Sequence, residues 1–211
     1  VDVGSKGDVD GVLAGLDKLG KKPSDVTLVL MTHGHFDHGG ASAGLKRSIA
    51  APFAIGRDDV VLAKSGFAPP PDAQIIEGDV LRPIFDPKFP PWTPDVALAG
   101  GERLDAFGIP GAVIATPGHT PGSIVVLLDD GDAFVGDLAR GVDEGSVHLD
   151  DGGDQGHMGR ASTSYYSANE DADLGHLRDL LDAGARRFFP GHGPWFADDS
   201  LRGFVTDHVA R

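Results

Sequence analysis

"MTHGHFDHGG", residues 31–40, follows the apolar run "VTLVLMT" at 26–32 and puts His33, His35, Asp37 and His38 side by side. Such a crowd of polar rings makes a poor core, and the two glycines that close it suit a tight turn. The run before it is apolar and β-branched, the pattern of a buried strand. His33 and His35 are alternate residues, so in extended backbone both point the same way. Asp37 and His38 then turn towards a second position. The stretch reads as a strand end that delivers metal ligands into a loop.

Three further segments share that design: "TPGHTPGS" with His119, "FVGDLARG" with Asp137 and "FPGHGP" with His192. Each is a strand end followed by His or Asp in a Gly-rich turn, where α/β folds place their chemistry. Four such blocks in one chain argue against scattered loop histidines. The chain has no cysteine, so any metal must sit on His, Asp or Glu. Imidazole and carboxylate are typical zinc ligands, and iron or manganese accept the same donors. Five histidines and two aspartates suffice for two zinc ions that share one carboxylate and one water. Such ions lower the pKa of bound water from about 15.7 to about 7. A purely structural site fits less well, because structural zinc sites usually close all four positions with thiolates or histidines. His148, His157, His176 and His208 lie in polar segments or on a helix and read as solvent-facing.

Around these blocks the chain alternates. The spacing of Val9, Val12, Leu13, Leu16 and Leu19 predicts a helix over 8–19, with Asp8 as its cap. "GASAGLKRSI" reads as a short helix and "APFAIG" as a strand, which implies α/β layering. Residues 64–95 hold most of the prolines and also Phe85, Phe89 and Trp92. Proline forbids regular pairing, so this is a structured loop or lid. Its aromatics either pack on the core or face a substrate. "ERLDAFG", "GAVIAT", "SIVVLLDD" and "AFVGD" read as short strands, with "DDGD" a hairpin turn. Residues 141–168 are polar and Gly-rich and carry Tyr165 and Tyr166, which read as core or surface residues. "NEDADLGHLRDLLDAG" predicts an amphipathic helix, "RRFFP" a strand and 198–210 a last helix. No domain boundary or repeat is visible, so 1–211 reads as a single domain.

The H-x-H-x-D-H pattern at 33–38, followed in order by His119, Asp137 and His192, resembles the metallo-β-lactamase superfamily. The resemblance runs from "VDVG" to "PGHG". It implies a four-layer αβ/βα sandwich with the metals at one edge of two sheets. It also implies that His33, His35 and His119 hold one ion and Asp37, His38 and His192 the other. Asp137 would bridge them and Asp37 orient the attacking hydroxide. Members usually open with strands before a turn like "VDVG". If those strands are missing here, one sheet lacks edge strands, which a partner chain would cover; a homo-oligomer is one such arrangement. Glyoxalase II-type thioesterases carry a glutathione-binding region after the last ligand, where only a short tail follows His192. Acyl-homoserine lactonases place a tyrosine where this chain has Arg140, a residue suited to clamping a substrate carboxylate or polarising a carbonyl. β-Lactamases with a metal-binding cysteine are excluded by composition.

The 211 residues carry a formal charge of −14, which disfavours nucleic-acid partners. No apolar run approaches the roughly 20 residues of a membrane span, and no targeting segment is visible. The expectation is a binuclear metallohydrolase; the sequence leaves its compartment unknown, with the cytoplasm favoured. Its reaction would be attack on the carbonyl of a small ester, lactone, thioester or amide. The alternatives are a mononuclear-iron sulfur dioxygenase and, in another class, a metal-binding protein without turnover.

Overall fold

The computed structural model of the protein describes residues 1–143 and 158–209. Its first half runs through helix α1 (Val9–Lys18), strand β1 (Val29–Met31), helices α2 (Phe36–Gly39) and α3 (Ser42–Leu45), strand β2 (Phe53–Gly56), helices α4 (Val60–Ser65) and α5 (Ile76–Leu81), and strand β3 (Val96–Leu98). The second half holds strands β4 (Gly111–Ala115), β5 (Ile124–Leu128), β6 (Asp132–Gly136), β7 (Arg140–Val142) and β8 (Arg160–Ser162). Helix α6 (Glu170–Asp182), strands β9 (Arg187–Pro190) and β10 (Phe196–Ala197) and helix α7 (Asp198–Val209) complete it. Strands β1, β2 and β3 form a parallel sheet in that order. A second sheet has the order β10-β9-β6-β5-β4, antiparallel except where β6 runs beside β9. Strands β7 and β8 pair separately.

Alternation along the strands turns these sheets into four layers, because successive side chains leave a strand on opposite faces. In β1, Val29 and Met31 face α1 and α3, while Leu30 faces the other way. In β2, Phe53 and Ile55 join the helical side and Ala54 the opposite one. In β5, Val125 packs towards α6 and α7, and Ile124 and Val126 turn inward. Three apolar cores result. One lies between the first sheet and its helices, one between the two sheets, and one between the second sheet and Leu177, Leu180, Leu181, Leu201 and Val205. This is the expected αβ/βα sandwich.

Several elements differ from the sequence reading. The run at 26–32 pairs only over Val29–Met31. Asp8 does not cap α1; its carboxylate accepts the Ser5 N–H instead, and Leu19 is exposed. "ERLDAFG" is a 3-10 turn at Asp105–Phe107, not a strand. It is pinned by buried Leu104 and by Arg103, which binds Asp105 and Asp129. The Pro-rich segment contains α5, ended by the 3-10 turn at Arg82–Ile84, where Pro83 stops the helix. Strands β7 and β8 fall at the start of and within the polar, Gly-rich stretch, to which the sequence assigned no element.

Two buried carboxylates lock the loops at the shared edge of the sheets. Asp59 accepts from the Gly34 and Gly122 N–H groups and from the Thr120 hydroxyl. Asp173, on the first turn of α6, accepts the His119 N–H at 2.9 Å and the Ser167 hydroxyl. A Cβ on Gly118 would collide with that carboxylate, so glycine is required there. Burial raises the pKa of Asp173 to about 7, with Asp137 and Glu170 acting the same way against its hydrogen bonds. The folded chain therefore keeps this proton to higher pH than the unfolded chain. The stabilising contribution is complete below about pH 4 and declines as pH rises towards about 7. In urea titrations of the metal-free protein, Asp173→Asn should flatten the decline between those limits. An unchanged slope would show that Asp173 ionises normally.

Candidate metal centre

The ligands converge because separate strand ends meet at one edge. His33 directly follows β1 by two residues, and His35, Asp37 and His38 come from the turn into α2. The Ile124 N–H donates to the Thr32 carbonyl, tying the end of β1 to the start of β5 across the two sheets. His119 lies in the β4–β5 turn, Asp137 follows β6, and His192 follows β9. The Gly191 N–H donates to the Gly136 carbonyl, which holds the last two loops together. A Cβ on Gly191 would strike the His38 ring and the Asp137 carboxylate.

The seven expected residues fall into three overlapping groups of ligand atoms, His33–His35–His119, Asp37–His38–His192 and, between them, His33–His38–Asp137. In the first, His35 Nδ1 lies 3.0 Å from both His33 Nε2 and His119 Nε2. Nitrogens around a tetrahedral zinc at 2.0–2.1 Å would lie about 3.3 Å apart. In the second, Asp37 Oδ2 lies 3.3 Å from His192 Nε2 and 4.0 Å from His38 Nε2. Asp137 stands between them, 3.2 Å from His38 Nε2 through Oδ1, and 3.6 and 3.5 Å from His119 and His192 through Oδ2. The rings of His33, His35 and His119 meet edge to face. Of the other histidines, His176 reaches the Pro117 carbonyl and His208 lies on α7, both away from the cluster. His148 and His157 lie outside the described residues.

Protonation and hydrogen bonding suit metal binding. Burial holds His33 well below the usual histidine range, helped by His38, His119 and His35. Burial and His119 take His35 down to about 3, and burial also lowers His119. Burial opposes charge on His38, yet Asp137, Asp2 and Asp37 raise it well above the usual range. Burial would raise both carboxylates, but His38 and His192 bring Asp37 to about 2 and hold Asp137 well below the usual range. Neutral imidazoles and ionised carboxylates are the forms that bind metal, so His33, His35, His119 and both carboxylates are ready to ligate, whereas His38 must give up a proton to a bound cation. Among the described residues, buried His38 Nε2 and Asp137 Oδ1 have only each other, 3.2 Å apart and without good hydrogen-bond geometry. Buried polar atoms are rarely left so, and a cation beside both would satisfy them. The donor set fits two ions.

A further layer fixes the rings, and the sequence reading missed most of it. Asp2 accepts the Thr32 N–H and hydroxyl and sits 2.9 Å from His38 Nδ1. Through the Thr32 hydroxyl, 3.1 Å from His33 Nδ1, it also steadies His33. His119 Nδ1 lies 2.6 Å from the Tyr166 carbonyl. Such partners set the tautomer and ring orientation of metal-binding histidines. "VDVG" was legible as a turn, but nothing in it marked Asp2 as a partner of His38. Asp59 and Asp173 are ordinary acidic positions until folding buries them.

The centre opens into a cavity of about 280 Å³ whose walls include Phe36, Pro70, Leu81, Phe85, Tyr165 and Tyr166. The Pro-rich segment therefore divides its aromatics. Phe89 and Trp92 are buried in the core beneath α1 and α3, while Phe85 faces the cavity. Both tyrosines are buried and both line the cavity. Arg140, expected to touch substrate, is not among the lining residues. The pairing of β7 with β8 carries its guanidinium to Tyr165 instead. Nε donates to the Thr163 carbonyl, NH1 lies 3.2 Å from the Tyr165 hydroxyl, and Cζ sits 4.4 Å from the ring centroid. Arg140 steadies a wall.

Known proteins share this architecture. The family model described as the metallo-beta-lactamase superfamily matches residues 1–192. A Drosophila melanogaster protein named as a beta-lactamase-like protein 2 homolog is 27% identical over 194 residues, 92% of this chain and 53% of that protein. A probable metallo-hydrolase of Methanocaldococcus jannaschii is 28% identical over 131 residues, 62% of this chain and 57% of its own. The chain thus spans about half the length of the curated relatives it matches. The subclass B3 metallo-beta-lactamase BJP-1 of Bradyrhizobium japonicum has a TM-score of 0.65 at 21% identity, over 99% of this chain and 79% of that one. That likeness shows the fold alone. TTHA1623, solved in a di-iron-bound form, has a TM-score of 0.61 at 27% identity, over 93% of this chain and 82% of its own. The chain belongs to the metallo-beta-lactamase superfamily.

Proposed function

We propose that this chain is a binuclear metallohydrolase, with zinc in both positions, that cleaves a small carbonyl compound: an ester, lactone, thioester or amide. The observation that carries this reading is the pair of ligand groups with the Asp137 carboxylate within 3.2–3.6 Å of His38, His119 and His192. Two bound ions would supply Lewis acidity and activate water at neutral pH. The rest is work for the chain's own residues. Asp37, ionised down to about pH 2, is an acceptor at neutral pH and holds a proton of the attacking water. Asp2 and the Tyr166 carbonyl keep the His38, His33 and His119 rings from rotating. The aromatic walls exclude bulk water and orient the acyl group.

Iron is the alternative metal, favoured by the di-iron form of TTHA1623. A single-iron oxidoreductase would need only one ligand group, and the intact second group speaks for two ions. An open cavity above the ligands speaks against a protein that merely stores metal. No helix among the described residues is long and apolar enough to cross a membrane.

Metal analysis of the purified protein should return two ions per chain. His38→Ala and His192→Ala should each reduce that to about one, as should His33→Ala through the other group. Two full equivalents in all three variants would sink the ligand assignment. Asp37→Asn should lower kcat by about 100-fold or more, the scale of a lost proton-handling group, with a smaller change in KM. An unaltered kcat would remove Asp37 from the chemistry. Asp2→Ala should weaken metal binding about 10- to 100-fold, as loss of a ligand's hydrogen-bond partner does. Competition with a chelator measures this directly, and wild-type affinity would leave Asp2 a purely structural residue.

A further inference from the structure

Beside the metal-side cavity lies a second one of about 140 Å³, lined by Ser5, Lys6, Phe36, Phe85, Lys88 and Phe89 among others. Phe36 and Phe85 line both. Their ring centroids are 5.6 Å apart, and the Phe85 ring lies 6.0 Å from that of Tyr166. The two rings thus form a partition between a reaction chamber and an apolar annex. The lysines at the annex do not make it an anion site. Lys6 is paired with Asp86 at 2.9 Å, and long lysine stems readily cover apolar surface.

Among the described residues, no Lys or Arg lines the chamber. Arg82 is committed to the Pro70 and Pro71 carbonyls and lies over the Tyr166 ring. Arg140 is committed to Thr163 and Tyr165. A substrate group resting on these walls meets aromatic and aliphatic carbon.

We infer that Phe85, closed against Phe36, is a specificity-determining residue that limits the length of an uncharged acyl group, and that the annex behind it receives longer chains once the ring is removed. This rests on the hydrolase reading for its chemistry, but the partition itself is a property of the two cavities. Phe36 sits between the ligands His35 and Asp37, so it cannot be altered without disturbing the centre. Phe85 belongs to the Pro-rich segment and holds no ligand, so it is the side of the partition to test.

The experiment compares zinc-loaded wild type, Phe85→Ala and Phe85→Leu on p-nitrophenyl esters from acetate to dodecanoate. Wild-type kcat/KM should rise with chain length and then fall. Phe85→Ala should move the maximum to longer chains, with a gain of about fourfold for each further methylene buried. Phe85→Leu should fall between, and zinc content should match in all three. Parallel profiles for wild type and Phe85→Ala would overturn the inference. If none of the three cleaves any ester, hydrolysis of esters fails as a reading, and the partition is judged by binding. Calorimetric titration with straight-chain methyl ketones from butanone to dodecanone should then show the same shift to longer chains in Phe85→Ala. Equal chain-length dependence in that titration would overturn it too.

Discussion

Crowding five imidazoles and two carboxylates into one place, four of the imidazoles buried outright, is the constraint on which the rest of this molecule depends. Isolated charges cost several kcal/mol each when taken out of water, even after relaxation. The chain limits the cost by dividing the cluster. His33, His35 and His119 are kept neutral by burial, while His38 lies against three carboxylates. Two buried atoms of this cluster, His38 Nε2 and Asp137 Oδ1, face each other at 3.2 Å without good hydrogen-bond geometry. A protein that needed only stability would gain by replacing them with apolar groups of similar volume. Their presence makes sense as a site completed by cations.

That arrangement demands a rigid frame, and the four layers provide it at one edge. Each layer contact is an apolar cluster. The turns beyond the strand ends are tied down by buried carboxylates rather than by further strands. Asp59 gathers the Gly34 turn and the Thr120–Gly122 turn into one knot. Asp173 holds the backbone of His119 itself. Asp2 reaches from the first residues to the end of β1. The ligand loops are irregular in conformation but fixed in position.

Much of this was legible in the sequence, and the reason is chemical. Metal ligands come from a short menu of residue types, and strand ends are marked by apolar runs that stop at glycine. His33, His35, Asp37, His38, His119, Asp137 and His192 could therefore be singled out as candidate ligands before any coordinates, and the layered α/β fold followed from the alternation of elements. What escaped was set by tertiary contact. "ERLDAFG" alternates well enough for a strand, but Leu104 and Arg103 draw it into a turn. Arg140 lies three residues from Asp137 and reads from sequence equally as a substrate clamp or as an ordinary salt-bridge residue; the β7–β8 pairing sets it against Thr163 and Tyr165. Asp2, Asp59 and Asp173 carry no local signature, because an aspartate becomes a clasp only through what distant segments bring to it.

The cavity wall and the metal ligands also share one support. The Ser167 N–H donates to the Asp72 carbonyl, the Gln74 N–H to the Tyr165 carbonyl, and the Tyr166 hydroxyl to the Gly78 carbonyl. These bonds bind the Pro-rich segment to residues 165–167. The middle residue of that strip, Tyr166, presents its carbonyl to His119, and its neighbour Tyr165 sets its ring beside His192. Prolines suit such a segment because they stiffen it without requiring a sheet. A wall built separately from the candidate ligands could shift relative to them. A wall bonded to the strip that orients His119 keeps the two in one frame, as the proposed attack on a carbonyl would require.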